Sequence, residues 1–257
     1  MKSFIGLSVL PRNPCLDAPY LAITITMTKP KLLQVAGRAL EIAVKRSGTA
    51  RRMSLRLDPG GDGVVVVLPV GVAVAEAERF AARQRDWIAG RLEALPGRVA
   101  FAPGALVPLL GEPHEIRHAP EARRGVWAES GLIQVSGPLD CLERRVTAFL
   151  KAEARRVIAP RAQALAASLG KPVGRLSIRD TRSRWGSCTV TGDLAFSWRL
   201  VLAPDWVLSY VVAHEVAHLA EMNHGPAFWR VVETLAGDPK PPRRWLKAHG
   251  PNLHRYG

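Results

Sequence analysis

With 257 residues and a hydrophobic fraction of 47%, the chain is long enough for one large cored domain or two small ones, which excludes wholesale disorder. Its three cysteines, Cys15, Cys141 and Cys188, form neither a CxxC pair nor an even framework, which excludes a disulfide-stapled secreted scaffold and makes a reducing cytoplasm the expected setting. The net charge of +14 invites nucleic acid, but the basic residues are mostly Arg in an Ala-, Gly- and Pro-rich chain, the signature of a GC-rich coding sequence, so charge alone assigns no such partner.

The apolar run at residues 4–10 is broken by Pro11, Arg12 and Pro14 before it reaches signal-peptide length, and no stretch approaches the roughly 20 apolar residues of a membrane span. Residues 1–30 are expected to be a disordered N-terminal extension, with Met27 as an alternative start, because regular patterning begins only near Lys31.

Met53, Leu55 and Leu57 alternate with polar neighbours, and a glycine-rich turn at 60–63 leads into Val64 to Leu68, which predicts a hairpin. Residues 73–95 switch to helical spacing, with Phe80, Trp87, Ile88 and Leu92 on one side. Short strands and turns return over 106–135. An Ala-rich helix is predicted over 142–169, kinked or divided at Pro160 and ended by Gly170. Strands follow at 176–179 and 194–200. Pro204 and Asp205 open a helix running to about Glu221, and Gly225-Pro226 opens another that Gly237 and the prolines beyond it end. The composition shift near residue 140 divides a strand-rich region, 31–140, from a C-terminal core, 141–257.

The pattern His-Glu-x-x-His occurs twice, at His114 to His118 and at His214 to His218. On a helix, residues four apart share a face and two imidazoles reach one zinc ion; on a strand the same spacing spans roughly 13 Å and no single ion bridges it. The first copy lies between Pro113 and Pro120 and alternates as a strand does, so it is read as a decoy carrying surface histidines. The second lies within an apolar helical run, which makes His214 and His218 ligands and Glu215 the catalytic base. A catalytic zinc takes three protein ligands and keeps one open position. His224 is reachable as the third if the chain turns first, and Met222-Asn223-His224-Gly225-Pro226 supplies that turn. The ten-residue span from His214 to His224 equals that of HExxHxxGxxH, but Glu221 occupies the glycine position, against metzincin membership. Glu221 stands near the ligand face as a runner-up ligand, an outer-sphere partner or a solvated charge, and Glu233 is a weaker alternative ligand.

Three motifs in order, Arg184-Trp185-Gly186-Ser187-Cys188, Trp198-Arg199-Leu200-Val201 with Ala203-Pro204, and His214 to His218 followed by Asn223-His224-Gly225-Pro226-Ala227-Phe228-Trp229, resemble the YgjP-like metallopeptidases, relatives of the SprT-like and WLM zinc proteases. The resemblance extends from about residue 40 and is strongest over 180–250. It implies an α+β, zincin-like core with a small sheet packed on metal-bearing helices, Zn²⁺ on the three histidines, and Glu215 as base. A zinc-dependent hydrolase acting on peptides or proteins is the expected function. A nucleotide phosphohydrolase and a DNA-associated SprT-like protease, the latter using Lys240, Arg243, Arg244 and Lys247, are the rivals; a non-enzymatic zinc module is disfavoured by the open coordination position. Arg184, Trp185, Gly186 and Ser187 have two readings, an edge strand along which a peptide pairs or a structural turn with Trp185 as anchor and Gly186 as bulge. Cys188 reads as a buried hydrophobe or a neighbour of the metal, and Arg182 and Arg184 as exposed charges or as binders of an oxyanion or phosphate.

Overall fold

The computed structural model describes residues 31–57, 63–94, 97–181 and 183–257. The extension at 1–30, most of the predicted turn at 60–63, and Arg182 lie outside the described residues. Among the described residues the architecture is α+β, with three small mixed sheets and six helices.

The first sheet has the order β1-β2-β4-β3, formed by β1 (Lys31–Val35), β2 (Arg38–Ser47), β3 (Ser54–Leu57) and β4 (Gly63–Pro69). The predicted hairpin is its antiparallel β3/β4 pair, with Leu55 opposite Val66 and Leu57 opposite Val64. Val64, Val66 and Leu68 alternate inward along β4 and are fully buried. They pack with Ala77 and Ala81 of α1 (Val74–Arg83) and Ile88 and Leu92 of α2 (Arg85–Ala94), forming a core of their own. The single helix expected over 73–95 is two, divided at Gln84, whose backbone leaves the helical region at φ −99° and ψ 18°.

The second sheet, of order β5-β6-β8-β7, comprises β5 (Leu106–Leu109), β6 (Glu112–His118), β7 (Val126–Glu129) and β8 (Leu132–Val135). Its inward residues Val107, Ile116, Ile133 and Val135 join the larger core, shared with α3 (Leu142–Ser168) and everything that follows. Pro160 does not divide α3, which runs unbroken past it. The β5/β6 turn presses on the segment leading to the helix that begins at Asp205. Leu110 N–H donates to Val201 O at 2.7 Å, and Gly111, at φ +90°, lies so close to Pro204 that a Cβ would stand 2.9 Å from its Cα.

The third sheet, β10-β11-β9, is built from β9 (Leu176–Arg179), β10 (Gly186–Cys188) and β11 (Leu194–Ser197). The strand expected to reach Leu200 stops at Ser197, where Trp198–Leu202 coils into a buried 3₁₀ turn that packs on α3. Three helices complete the chain: α4 (Asp205–Ala217), α5 (Pro226–Ala236) and α6 (Lys240–Leu253). The prolines after Gly237, expected only to end α5, instead open α6. Pro241 and Pro242 occupy its first turn, where the missing N–H groups have no intrahelical partner to lose. Among the described residues no helix is long and apolar enough to cross a membrane.

Candidate metal centre

Helix α4 is rich in valine and has no polar face: Val207, Leu208, Tyr210, Val211, Val212, Ala213, Val216 and Ala217 are all buried. β-Branched residues are mediocre helix formers, so packing on every side, more than local propensity, sustains this helix. Asp205 in the first turn favours the positive end of the helix dipole. The helix ends at Ala217 rather than near Glu221, with His218 as its C-cap and Glu221 N–H closing back on Ala217 O at 2.9 Å. A bend then carries the chain through Asn223 and His224 to Gly225, which caps α5 ahead of Pro226.

The bend brings His224 back over the helix. Ligand nitrogens of His214, His218 and His224 all lie within 4.8 Å of one another, the one metal-competent group among the described residues. The Nε2 atoms of His214 and His224 are 3.1 Å apart. A tetrahedral ion bound at 2.0–2.1 Å separates its nitrogen ligands by roughly 3.3 Å; the His214–His224 pair stands close to that spacing, and the three residues together could hold a metal ion. A proton joins only two of three converging nitrogens, whereas a metal joins all three.

The second nitrogens of two rings have polar neighbours. His218 Nδ1 meets Glu221 O at 3.1 Å and His214 Nδ1 meets the Tyr210 hydroxyl at 3.5 Å. The Glu221 carbonyl only accepts, so His218 carries its proton on Nδ1 and directs its Nε2 lone pair into the cluster, whereas the Tyr210 hydroxyl can either donate to His214 Nδ1 or accept from it. Burial, aided by the charges of His218, His224 and Arg243, pushes His214 down to about 3. Burial and His224 push His218 down to about 4, against the backbone contacts of Glu221 and Met222. Both rings are therefore neutral at neutral pH.

Beneath the three rings lies Phe228, fully buried on the first turn of α5. It stacks on His218 at 4.5 Å between centroids and 29° between planes, and meets His224 and His214 edgewise at 4.5 and 5.0 Å. Sequence periodicity marks Phe228 as a core residue but gives no hint that it touches every ligand.

Glu215 is buried beside the cluster and abuts β10. A Cβ on Gly186 would stand 2.7 Å from Glu215 Oε1 and 2.8 Å from its Cδ, so only glycine lets the strand pass this close. Gly186 and Ser187 thus lie on a strand at the edge of the third sheet, next to the predicted base. Cys188, two residues on, is buried, and its thiol is pushed up to about 12 by burial, then by the charges of Glu215 and Asp193. It stays protonated and unreactive.

Other predicted residues stand apart. Trp185 faces away, stacked on His254 at 5.1 Å and touching Gly250. Arg184 is exposed, and its carbonyl accepts from the Thr181 hydroxyl at 2.8 Å. Glu221 contributes its backbone carbonyl to His218 while its side chain is exposed, and Glu233 is exposed on α5. The first His-Glu-x-x-His copy lies on β6, where His114 Nδ1 meets Glu112 O at 2.9 Å and His118 Nε2 meets Gly137 O at 2.7 Å.

Residues 51–249 match the model of the family described as YgjP-like, metallopeptidase domain. Among solved structures, the metallopeptidase zymogen abylysin of Pyrococcus abyssi is similar at 20% identity and a TM-score of 0.32, over 37% of this chain and 93% of that one. No curated protein matches the chain.

Proposed function

Since the chain belongs to the YgjP-like metallopeptidase domain family, we propose that it is a zinc-dependent peptidase whose metal is held by His214, His218 and His224 and whose general base is Glu215. The observation that carries this reading is the convergence of three imidazoles, two of them buried and neutral, with a buried carboxylate alongside them. Two buried ligands and the base come from consecutive residues and turns of one packed helix, so their relative positions are fixed before substrate arrives.

Zinc bound there supplies Lewis acidity, which acidifies water and polarises a carbonyl. Glu215 takes the proton of the attacking water and passes it to the leaving amine. The Gly186 contact sets the Glu215 carboxylate against the strand, limiting the directions in which it can swing. β10, at the sheet edge beside Glu215, offers the backbone along which an extended peptide pairs, which accounts for the strand's place at the site. The open coordination position left by three protein ligands speaks for catalysis over a structural role.

The test uses full-length protein with an unfolded protein substrate, nucleoside triphosphates or duplex DNA, each with and without chelator. Zinc-restorable cleavage of the protein substrate, lost in Glu215→Gln while bound metal is kept, is the expected result. Release of phosphate or pyrophosphate without peptide cleavage would replace the peptidase with a phosphohydrolase. Peptide cleavage that appears only with DNA would assign the DNA-associated form.

A further inference from the structure

The three ligands are not held alike. His214 lies within α4 and His218 caps it, and each has an Nδ1 contact, to the Tyr210 hydroxyl and to Glu221 O. His224 lies in the bend between α4 and α5 and is only partly buried. Two aromatic side chains of α5 lie against its ring. Phe228 meets it edgewise at 4.5 Å, and Trp229 stacks on it at 5.8 Å between centroids and 27° between planes.

Trp229 is itself gripped. The Arg243 guanidinium carbon lies 4.9 Å from the centroid of its ring, reaching across from α6. That helix is firmly placed, with Pro242, Leu246, Gly250 and Leu253 buried, Gly250 against Trp185, and its body packed on α4. A planar guanidinium against an indole face combines cation–π attraction with flat packing, and the attraction grows as water is excluded.

We infer that Arg243 and Trp229 are positioning residues for His224, a clamp from α6 that pre-orders the one ligand no helix carries. The inference rests on the proposal that the three histidines bind a metal. A ligand ordered in advance loses less freedom on binding, so the clamp acts on metal affinity and metal release before any substrate is present. Loss of an outer partner of a metal ligand typically costs 10–100-fold in affinity.

Zinc affinity of the full-length protein, measured by competition with a chromophoric chelator, tests this without reference to activity. Arg243→Met is expected to weaken zinc binding about tenfold and to speed zinc release, with the melting temperature of the metal-free protein unchanged. Arg243→Lys, which keeps a cation over the ring, is expected to recover part of the loss. Trp229→Leu should cost up to about 100-fold; if that variant does not fold, Arg243→Met decides, since it removes a charge without opening the core. Parental affinity in Arg243→Met would overturn the inference, and so would Arg243→Lys binding as weakly as Arg243→Met. A parent protein binding zinc no better than His214→Ala would instead end the metal reading, and the clamp with it.

Discussion

Gly186 on β10 and Glu215 on α4 occupy a space with no room for one more methyl group: a Cβ at position 186 would lie 2.7 Å from the Glu215 carboxylate oxygen and 2.8 Å from its carboxyl carbon. Twenty-nine positions apart in the chain, they meet because the third sheet packs its edge against the buried helix. Gly186→Ala must therefore move either the strand or the base. A displacement of about 1 Å can cost a hundredfold in rate, so kcat is expected to fall by roughly that factor while bound metal remains at one equivalent. Overpacking should also lower stability by about 1–3 kcal/mol. Undiminished turnover in Gly186→Ala would show that the carboxylate does not depend on this contact.

The histidines separate by context. His214→Ala and His218→Ala should each abolish stoichiometric metal, whereas His114→Ala should leave it intact, because β6 directs its histidines to backbone carbonyls of Glu112 and Gly137. Metal analysis of the three purified variants checks this. Loss of metal in His114→Ala would contradict the assignment of the centre.

Phe228 ties folding to the metal centre. Removing its ring opens a cavity under all three imidazoles, and Phe228→Ala is expected to cost about 3–5 kcal/mol of stability. Zinc added in excess should return part of that loss through linkage, since only the folded form binds it. Chemical denaturation with and without zinc measures both effects. An equal cost in Phe228→Ala and in a core phenylalanine remote from the rings, with no response to zinc, would reduce Phe228 to ordinary packing.

Arg199 sets the acid limit of the C-terminal region. Its buried guanidinium donates to Asp180 Oδ1 at 3.1 Å and to the carbonyls of Leu253 and Tyr256, and it lies over Trp198, pinning the chain end to the 3₁₀ turn. Burial would push the Asp180 carboxyl up, but the hydrogen bond and charge of Arg199, joined by Trp198 and the charge of Lys151, together outweigh it and hold Asp180 below the ordinary carboxylate range. A depressed carboxylate stabilises the fold above its unfolded-state value of about 3.9, and that contribution disappears as pH falls through the lower folded value. Asp180 is half-exposed, so solvent screening keeps the contribution to about 1 kcal/mol or less. Melting temperatures should thus fall more steeply below about pH 4 in the parent than in Asp180→Asn. Arg199→Met, which orphans two carbonyls and a carboxylate, should cost about 3 kcal/mol at neutral pH. Identical acid profiles for parent and Asp180→Asn would dismiss the ion pair as the cause.

Much of the site was legible in the order of residues. The spacing of His214 and His218 on an apolar helical run, the turn after Asn223, and the prolines around the first His-Glu-x-x-His copy together separate the metal group from its decoy, because helix and strand periodicities are local properties of the chain. Boundaries were less legible: α4 stops four residues short of expectation because the turn that returns His224 begins at His218, and α6 went unseen because prolines that commonly end a helix are tolerated in its first turn. What only the tertiary structure decided are the pairings between distant residues: Gly186 with Glu215, Phe228 beneath three rings, Arg243 over Trp229, and Arg199 with Asp180 and the chain end. Each depends on which faces of separate elements come to lie together as the core closes, and that is set by the sum of many weak packing contacts, which no window of neighbouring residues contains.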